Sequence, residues 1–439
     1  MGRRPAYAPL RVYLNNRRVG MLTREASGAI GFSYETDWLG WEYALPVSLS
    51  LPLRETPYRG ERVSAVFENL PPDSDTLRRL VAEKVGARGI DAYSMLTKIG
   101  HDCAGALQFI AGDDEAPDAT GKIEGETVDA SAIEKILKGL SHAPLGLTRD
   151  DAFRISVAGA QEKTALLWYE GQWIKPHGTT PSTHLIKTQI GKLPGGIALS
   201  DSVENEYYCL KLTAAFGLPV NTAAIETFGA TKALVVERFD RLWTKDGRLL
   251  RLPQEDCCQA LSVPPTLKYQ NEGGPGMSDV LGLLKGSDTP IEDQDIFLKA
   301  QIVFWLMGAT DAHAKNFSVF LSPGGCYRMT PLYDIVTAQG ALEARQIERK
   351  QMKMAMSVGN SRHYRFDQIH GRHFVQTAMR AGFSKKRATD IVEEIAAKVP
   401  AALDAAANAL PITFPQSIVD MVSKAVMERL NGLKLSDAE

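Results

Sequence analysis

The chain has 439 residues, 44% hydrophobic and 23% charged, with Lys plus Arg 50 against Asp plus Glu 52 and a formal charge of −2. That composition excludes disorder and fibrous repeats and is long enough for two or three domains with buried cores. A near-zero balance provides no whole-molecule field for nucleic acid or an anionic membrane, so such a contact must be local or come through a partner. The five cysteines (Cys103, Cys209, Cys257, Cys258, Cys326) have no Cys-x-x-Cys spacing, which argues against a disulfide framework or a structural zinc site and fits a reducing cytoplasm. The apolar run 302–309 has eight residues, where a membrane span needs about 20. Arg11 interrupts the stretch after Arg3 and Arg4 before an export signal develops.

Residues 11–53 read as short strands: 11–14, a turn at Asn15 and Asn16, then 18–22 and 30–34 with alternating faces. Residues 64–100 read as helical, started by Pro71, Pro72 and Asp73, with apolar positions at Leu77, Leu80, Val81 and Val85. The acidic stretch 112–130, rich in Gly, Thr and Ala, has the composition of a surface loop or linker. A second group of strands follows at 153–157, 164–169, 172–174 and 184–187. A helix at 203–216 closed by Gly217 comes next, then strands at 223–227 and 233–238. Beyond Asp256 the spacing is helical at 293–307, 372–381, 385–399, 401–409 and 416–433.

The sharpest chemical signal is the polar cluster 308–316, with Asp311 and Asn316 five positions apart and Asp334 eighteen further on. Phosphoryl transfer needs a carboxylate for the attacking hydroxyl and oxygen ligands for Mg²⁺ on the phosphates, and protein kinases use this Asp-to-Asn interval with a downstream Asp. On spacing alone, an Asp capping a turn and an Asn in a loop serve equally. An apolar helix ending at Gly308 and a strand pattern at 327–333 leading into Asp334 give the helix, loop, strand, Asp order of a kinase C-lobe. Upstream, Ala158, Gly159, Ala160, Gln161, Glu162 and Lys163 form a small-residue turn between strands, either an ordinary hairpin or a phosphate cradle. Lys187 ends a strand, as a solvated lysine or a phosphate-pairing one. Glu237, Arg238 and Phe239 close a strand where sheet gives way to helix, as a surface salt bridge beside a core Phe or as the place where kinases bind adenine through backbone groups.

The strings 153–167, 206–208, 236–241, 251–256 and 308–318, together with 49–53 and 67–73, resemble the HipA family, the serine/threonine kinase toxins of bacterial HipBA toxin–antitoxin systems. The resemblance runs from about Val12 through the terminal helices. It implies an α+β, two-lobed protein kinase-like fold, closest to the phosphatidylinositol kinases, with an N-terminal β-rich module. On that basis 1–145 is the module, 146–252 the N-lobe, and 253–439 the helical C-lobe. It implies ATP and Mg²⁺ as cofactors, Asp311 as general base, and Asn316 and Asp334 as Mg²⁺ ligands. Residues 158–163 become the phosphate loop, Lys187 a phosphate contact, Glu237 to Phe239 the adenine contact, and His313, Lys315 and Tyr333 neighbours of the nucleotide. Ser156 falls at the family's autophosphorylation position. The implied partners are a small HipB-type antitoxin, operator DNA mainly through that antitoxin, and a protein substrate of the glutamyl-tRNA synthetase type, with translation arrest and persistence as the outcome. Ala312 stands where relatives can have Gly, and the basic cluster 384–387 is either a DNA contact or the charged first turn of a solvated helix. A small-molecule kinase of the aminoglycoside or choline type, or a pseudokinase acting as a repression scaffold, are the rival readings.

Overall fold

The structure, a computed structural model, describes residues 7–112, 114, 116–118, 120–147, 161–192 and 198–435. The chain forms two compact units, one of Met1–Thr188, Glu226–Thr266 and Ser318–Tyr327, the other of Gln189–Ile225, Leu267–Phe317 and Arg328–Glu439.

The first unit holds the two largest sheets. The N-terminal one is antiparallel, in the order Tyr58–Arg59, Ile30–Tyr34, Arg17–Arg24, Leu10–Leu14, Leu107–Ala111. Its alternation is the expected one: Ile30, Phe32 and Tyr34 are buried while Gly31 and Ser33 are half-exposed. Gly20 is required, because a Cβ there would lie 2.3 Å from the Ser33 carbonyl oxygen. Phe67 joins this sheet to its helices through a tilted contact with Phe32 and an edge contact with Phe109, each at 5.7 Å between centroids. The region expected to be helical from 64 to 100 is three helices, Glu61–Phe67, Asp75–Val85 and Ala92–Ile99. Ser74, not the Pro71–Asp73 stretch, caps the second by accepting from the Leu77 N–H, and Gly86 at φ +66° ends it.

The second sheet has six strands in the order Ala223–Phe228, Thr231–Glu237, His184–Thr188, Lys163–Tyr169, Gln172–Pro176, Gly125–Val128. Ala165, Leu166 and Leu167 are all buried, because both faces of their strand are covered. On one face Ala165 packs with Val81, Val85, Met95 and Ile99, from the helices of the N-terminal region. On the other, Leu166, Ile186, Ala233 and Val235 pack with Ile133 and Leu137 of the helix Ala130–Gly139. Each buried leucine contributes about 1.5–3 kcal/mol. The expected linker thus ends in structure: Gly125–Val128 pairs antiparallel with Gln172–Pro176.

The second unit is mainly helical. Lys385–Asn408 packs on Ser202–Ala215 and on Gly371–Arg380, and Gln416–Leu433 packs on Pro290–Met307. The two helices expected at 385–399 and 401–409 are one: Pro400 lies inside it on the exposed side while Val399, Ala402 and Leu403 stay buried, so packing carries the helix across the lost hydrogen bond. The strand expected at 327–333 stops at Met329. Pro331 cannot donate to a ladder, and Leu332 instead makes a parallel bridge to Val220. Among the described residues no helix is long and apolar enough to cross a membrane.

Candidate active site

In the second unit, the last turns of Pro290–Met307 are wholly apolar and buried, so the helix is anchored and its end is a fixed point. Gly308 stops it at φ +82°, donating to the carbonyls of Phe304 and Trp305. A Cβ at this glycine would meet Thr337 Oγ1 and Met352 Cε at 3.2 Å. The chain then turns polar at Thr310 and Asp311, while Ala309, Ala312 and Ala314 stay buried.

Three contacts tie the start of this loop to the segment after Asp334. Ala309 bridges Thr337, the Ala338 N–H donates to the Gly308 carbonyl at 3.0 Å, and Thr337 Oγ1 donates to the Met307 carbonyl at 2.6 Å. Asp334 sits at φ +58°, a left-handed conformation that a short polar side chain tolerates and that persists where neighbours over-determine it. Tyr333 donates its hydroxyl to the Lys315 carbonyl at 2.9 Å. The topology therefore brings the 311–316 loop and the 333–334 segment together, as the sequence order requires.

Within the loop, the Asp311 carbonyl accepts from the His313 N–H at 2.9 Å and from Asn316 Nδ2 at 2.8 Å. The Asp311 side chain is 54% exposed, while His313 is buried with Nε2 3.8 Å from Asp311 Oδ1. The Tyr269 hydroxyl donates to the same Oδ1, and its ring meets His313 edge-on at 4.9 Å. Lys315 is buried, and Asn316 is half-buried. Tyr269 was not foreseen; the only sequence signal was an aromatic residue in the polar stretch 268–272.

With its amide nitrogen engaged by the Asp311 carbonyl, Asn316 could offer its oxygen to a cation, and Asp334 is the carboxylate that could join it. Two hard oxygen ligands suit Mg²⁺, which normally takes one or two protein groups and completes its shell with water and phosphate oxygens. Among the described residues there is no cluster of three or more His, Cys, Asp or Glu placed for a metal.

In the first unit, Lys163 and Lys187 are direct cross-strand partners, and both are buried. Residues opposite each other on antiparallel strands share a face of the sheet, with Cβ atoms roughly 4.5–5.5 Å apart. Lys163 and Lys187 therefore stand side by side on one face of the sheet. Gln161 Nε2 donates to the Thr188 carbonyl at 2.9 Å beside them, and Glu162 is exposed. Ala158, Gly159, Ala160, Ser156 and the strand expected at 153–157 lie outside the described residues.

Glu237 is exposed at the end of its strand, opposite His184. The Arg238 N–H donates to the Thr183 carbonyl at 2.8 Å, and Phe239 packs edge-on against Phe320 at 5.6 Å. The Arg238 side chain forms a buried pair instead of a surface one. Its guanidinium grips Asp240 through two bonds of 3.0 and 2.9 Å, and reaches the Cys103 carbonyl at 2.8 Å and Asp102 at 3.3 Å. Asp102 also accepts from Arg241 at 2.8 Å, Arg251 at 3.2 Å, and Ser182 N and Oγ at 3.0 and 2.6 Å. Burial alone would push the Asp102 carboxyl up, but Arg241, Arg238 and Arg251 override it and hold it well below the usual carboxylate range. This cluster fixes the end of the strand that carries Glu237.

Residues 155–403 match the model of the HipA-like C-terminal domain, and residues 10–110 that of the HipA N-terminal domain. A Sinorhizobium fredii protein, Y4mE, named as a candidate kinase, is 36% identical over 354 residues, 80% of each chain. The serine/threonine-protein kinase toxin HipA of Shewanella oneidensis is 28% identical over 342 residues, 75% of each chain. A chain from the solved Shewanella oneidensis MR-1 complex of HipA, HipB and operator DNA matches at a TM-score of 0.79 and 24% identity, with 96% of both chains covered. That likeness establishes the fold as α+β and kinase-like. With one family model spanning more than half of its length and a 36% identical relative covering 80% of it, the chain belongs to the HipA family of serine/threonine-protein kinase toxins.

Proposed function

We propose that this chain transfers the γ-phosphate of ATP to a serine or threonine hydroxyl of a protein. The observation that carries the reading is the loop at 311–316, where one exposed carboxylate stands on a backbone locked by Asn316 and His313. Asp311 accepts the proton of the attacking hydroxyl and orients its oxygen toward phosphorus. A positioned base of this kind contributes roughly 10²- to 10⁴-fold. Asn316 and Asp334 would hold Mg²⁺, whose charge offsets that of the phosphates. Lys163 and Lys187, with the turn 158–162, receive the phosphate oxygens. Glu237 and Phe239 present backbone groups to adenine, while Arg238, whose N–H and carbonyl are taken by Thr183 and Arg241, holds this segment in place; His313, Lys315 and Tyr333 line the nucleotide.

The finer reading follows the family. The protein acceptor is of the glutamyl-tRNA synthetase type, and its modification arrests translation and promotes persistence. Ser156 is autophosphorylated. A small HipB-type antitoxin neutralises the chain and carries it to operator DNA, and the formal charge of −2 supports a division of labour in which the partner provides the counterion release that DNA binding needs. The solved relative with HipB and operator DNA supports that assembly. Phosphoproteomics after expressing the chain without its antitoxin tests the reading: new phosphoserine or phosphothreonine on one or a few proteins supports it. Phosphorylation of small hydroxyl compounds alone would replace it with the small-molecule kinase, and no phosphoryl transfer at all with the scaffold.

A further inference from the structure

Tyr269 lies 42 residues before the base in sequence, in a turn built to be rigid. The Glu272 and Gly274 N–H groups both donate to the Tyr269 carbonyl at 3.0 Å, and a Cβ at Gly274 would fall 1.8 Å from the Leu267 carbonyl oxygen. On one side, the Lys268 carbonyl accepts from the Ala314 N–H at 3.4 Å, which ties the turn to the catalytic loop. On the other, Gln270 Oε1 accepts from the Ser357 N–H at 2.6 Å, which ties it to the strand Lys353–Val358. The ring is further held edge-on by buried His313 at 4.9 Å. A turn tied on both sides, with its tyrosine ring held against His313, acts as a strut.

What the strut touches is Asp311 Oδ1, to which its hydroxyl donates; His313 Nε2 is 3.8 Å from the same oxygen. A carboxylate turns freely about its last torsion, which is broad and roughly two-fold, and catalytic geometry must be held to about 10–20°. Pinning Oδ1 leaves Oδ2, on a side chain that is 54% exposed, as the oxygen facing an incoming hydroxyl. We propose that Tyr269 is a positioning residue for phosphoryl transfer: its hydroxyl occupies one oxygen of Asp311 so that the other is presented to the acceptor. This rests on the reading of Asp311 as the general base.

The test measures ADP release from ATP and Mg²⁺ by the full chain, with casein as a generic hydroxyl acceptor. Four proteins are compared: wild type, Tyr269→Phe, Asp311→Asn, and the double variant. Tyr269→Phe keeps the ring and its packing on His313, so Tm and KM for ATP stay unchanged. A hydrogen bond to a charged group accounts for roughly a 10- to 100-fold fall in kcat. In the Asp311→Asn background the second substitution has no further effect, because the strut then has no base to orient. A Tyr269→Phe rate within two-fold of wild type, or effects that multiply in the double variant, overturns the proposal while leaving Asp311 as base. A faster Tyr269→Phe enzyme also overturns it and makes the tyrosine a cover that the acceptor displaces. Wild-type activity in Asp311→Asn removes the reading of the base, and this proposal with it.

Discussion

Asp102→Asn asks how much the buried charge cluster holds. The substitution preserves shape but removes one of two carboxylates, Asp102 and Asp240, that face the guanidiniums of Arg238, Arg241 and Arg251. One excess positive charge becomes two, among side chains buried away from bulk solvent. Asparagine also turns one of the two acceptor ends into a donor, which must then oppose either an arginine or the N–H and hydroxyl of Ser182. Breaking a buried pair this way costs about 3–5 kcal/mol, a large part of the roughly 5–15 kcal/mol that holds a folded protein. The control is Asp246→Asn. Asp246 pairs with Arg248 at 2.8 Å, with side chains 57% and 46% exposed, so solvent already screens it and its loss leaves the unfolding midpoint in place. Urea unfolding of the full chain, followed by circular dichroism and tryptophan fluorescence, compares the two. The Asp102 carboxyl is held well below its ordinary value of 3.8. Its stabilisation is therefore fully present above that pH and is lost as pH falls below it, and the gap between wild type and variant stays constant from pH 5 to 8. A midpoint loss for Asp102→Asn no larger than that for Asp246→Asn refutes the argument.

Three further outcomes are expected. Asp311→Asn loses roughly 10²- to 10⁴-fold in kcat while ATP with Mg²⁺ still binds, whereas Asp334→Asn weakens nucleotide binding; calorimetry with the reverse ranking overturns the two roles. Burial pushes the Glu255 carboxyl from 4.5 up to about 8, so between those pH values the folded chain keeps a proton that the unfolded chain has released, and stability falls as pH rises. Glu255→Gln keeps an acceptor for the Leu49 N–H, now at 2.7 Å; it is more stable than wild type at pH 8 and no more stable at pH 5, and an unchanged difference across that range sinks the assignment. Phosphate on Ser156 adds about −1.5 to −2 charges next to the turn 158–163, so the phosphorylated chain loses nearly all ATP affinity while Ser156→Ala keeps it; equal affinity in mass-verified samples removes the switch.

What the sequence made legible was whatever repeats locally. The helix Gln416–Leu433 stands where its spacing put it, and Pro290–Met307 begins three residues before the reading because Pro290 serves as its first helical residue. The stretch Gly125–Val128 was illegible for a physical reason: three of its four residues are exposed and only Val128 reaches the core, so this edge strand carries no alternating side-chain pattern. Pro400 misled because propensity is local, whereas the burial of Val399 and Leu403 is tertiary. The candidate site divides in the same way. Asp311, Asn316 and Asp334 could be named because their spacing follows from one loop and one segment. The facing of Lys163 and Lys187 depends on strand register, the bond from Tyr269 on a turn packed from elsewhere, and the pairing of Asp102 with Arg238 spans 136 positions.

That long-range pairing bears on how the two stretches matched by the family models relate. Asp102, the Cys103 carbonyl and the Gly105 N–H belong to the stretch matched as N-terminal domain, and Arg238, Asp240, Arg241 and Arg251 to the stretch matched as C-terminal domain. The same division runs through the apolar contact of Ala165 with Val81, Met95 and Ile99. Two kinds of contact, one charged and one apolar, thus cross it inside one compact unit. An appended module would meet the sheet through a wet, exchangeable surface. Here the N-terminal helices form one wall of the core around the lysine-bearing strand, and Asp102 supplies half of the negative charge that keeps three arginines buried at the end of the strand Thr231–Glu237. Neither contact can be removed without exposing a buried sheet face or leaving guanidiniums uncompensated, so the N-terminal region is part of what holds the proposed nucleotide strand in place.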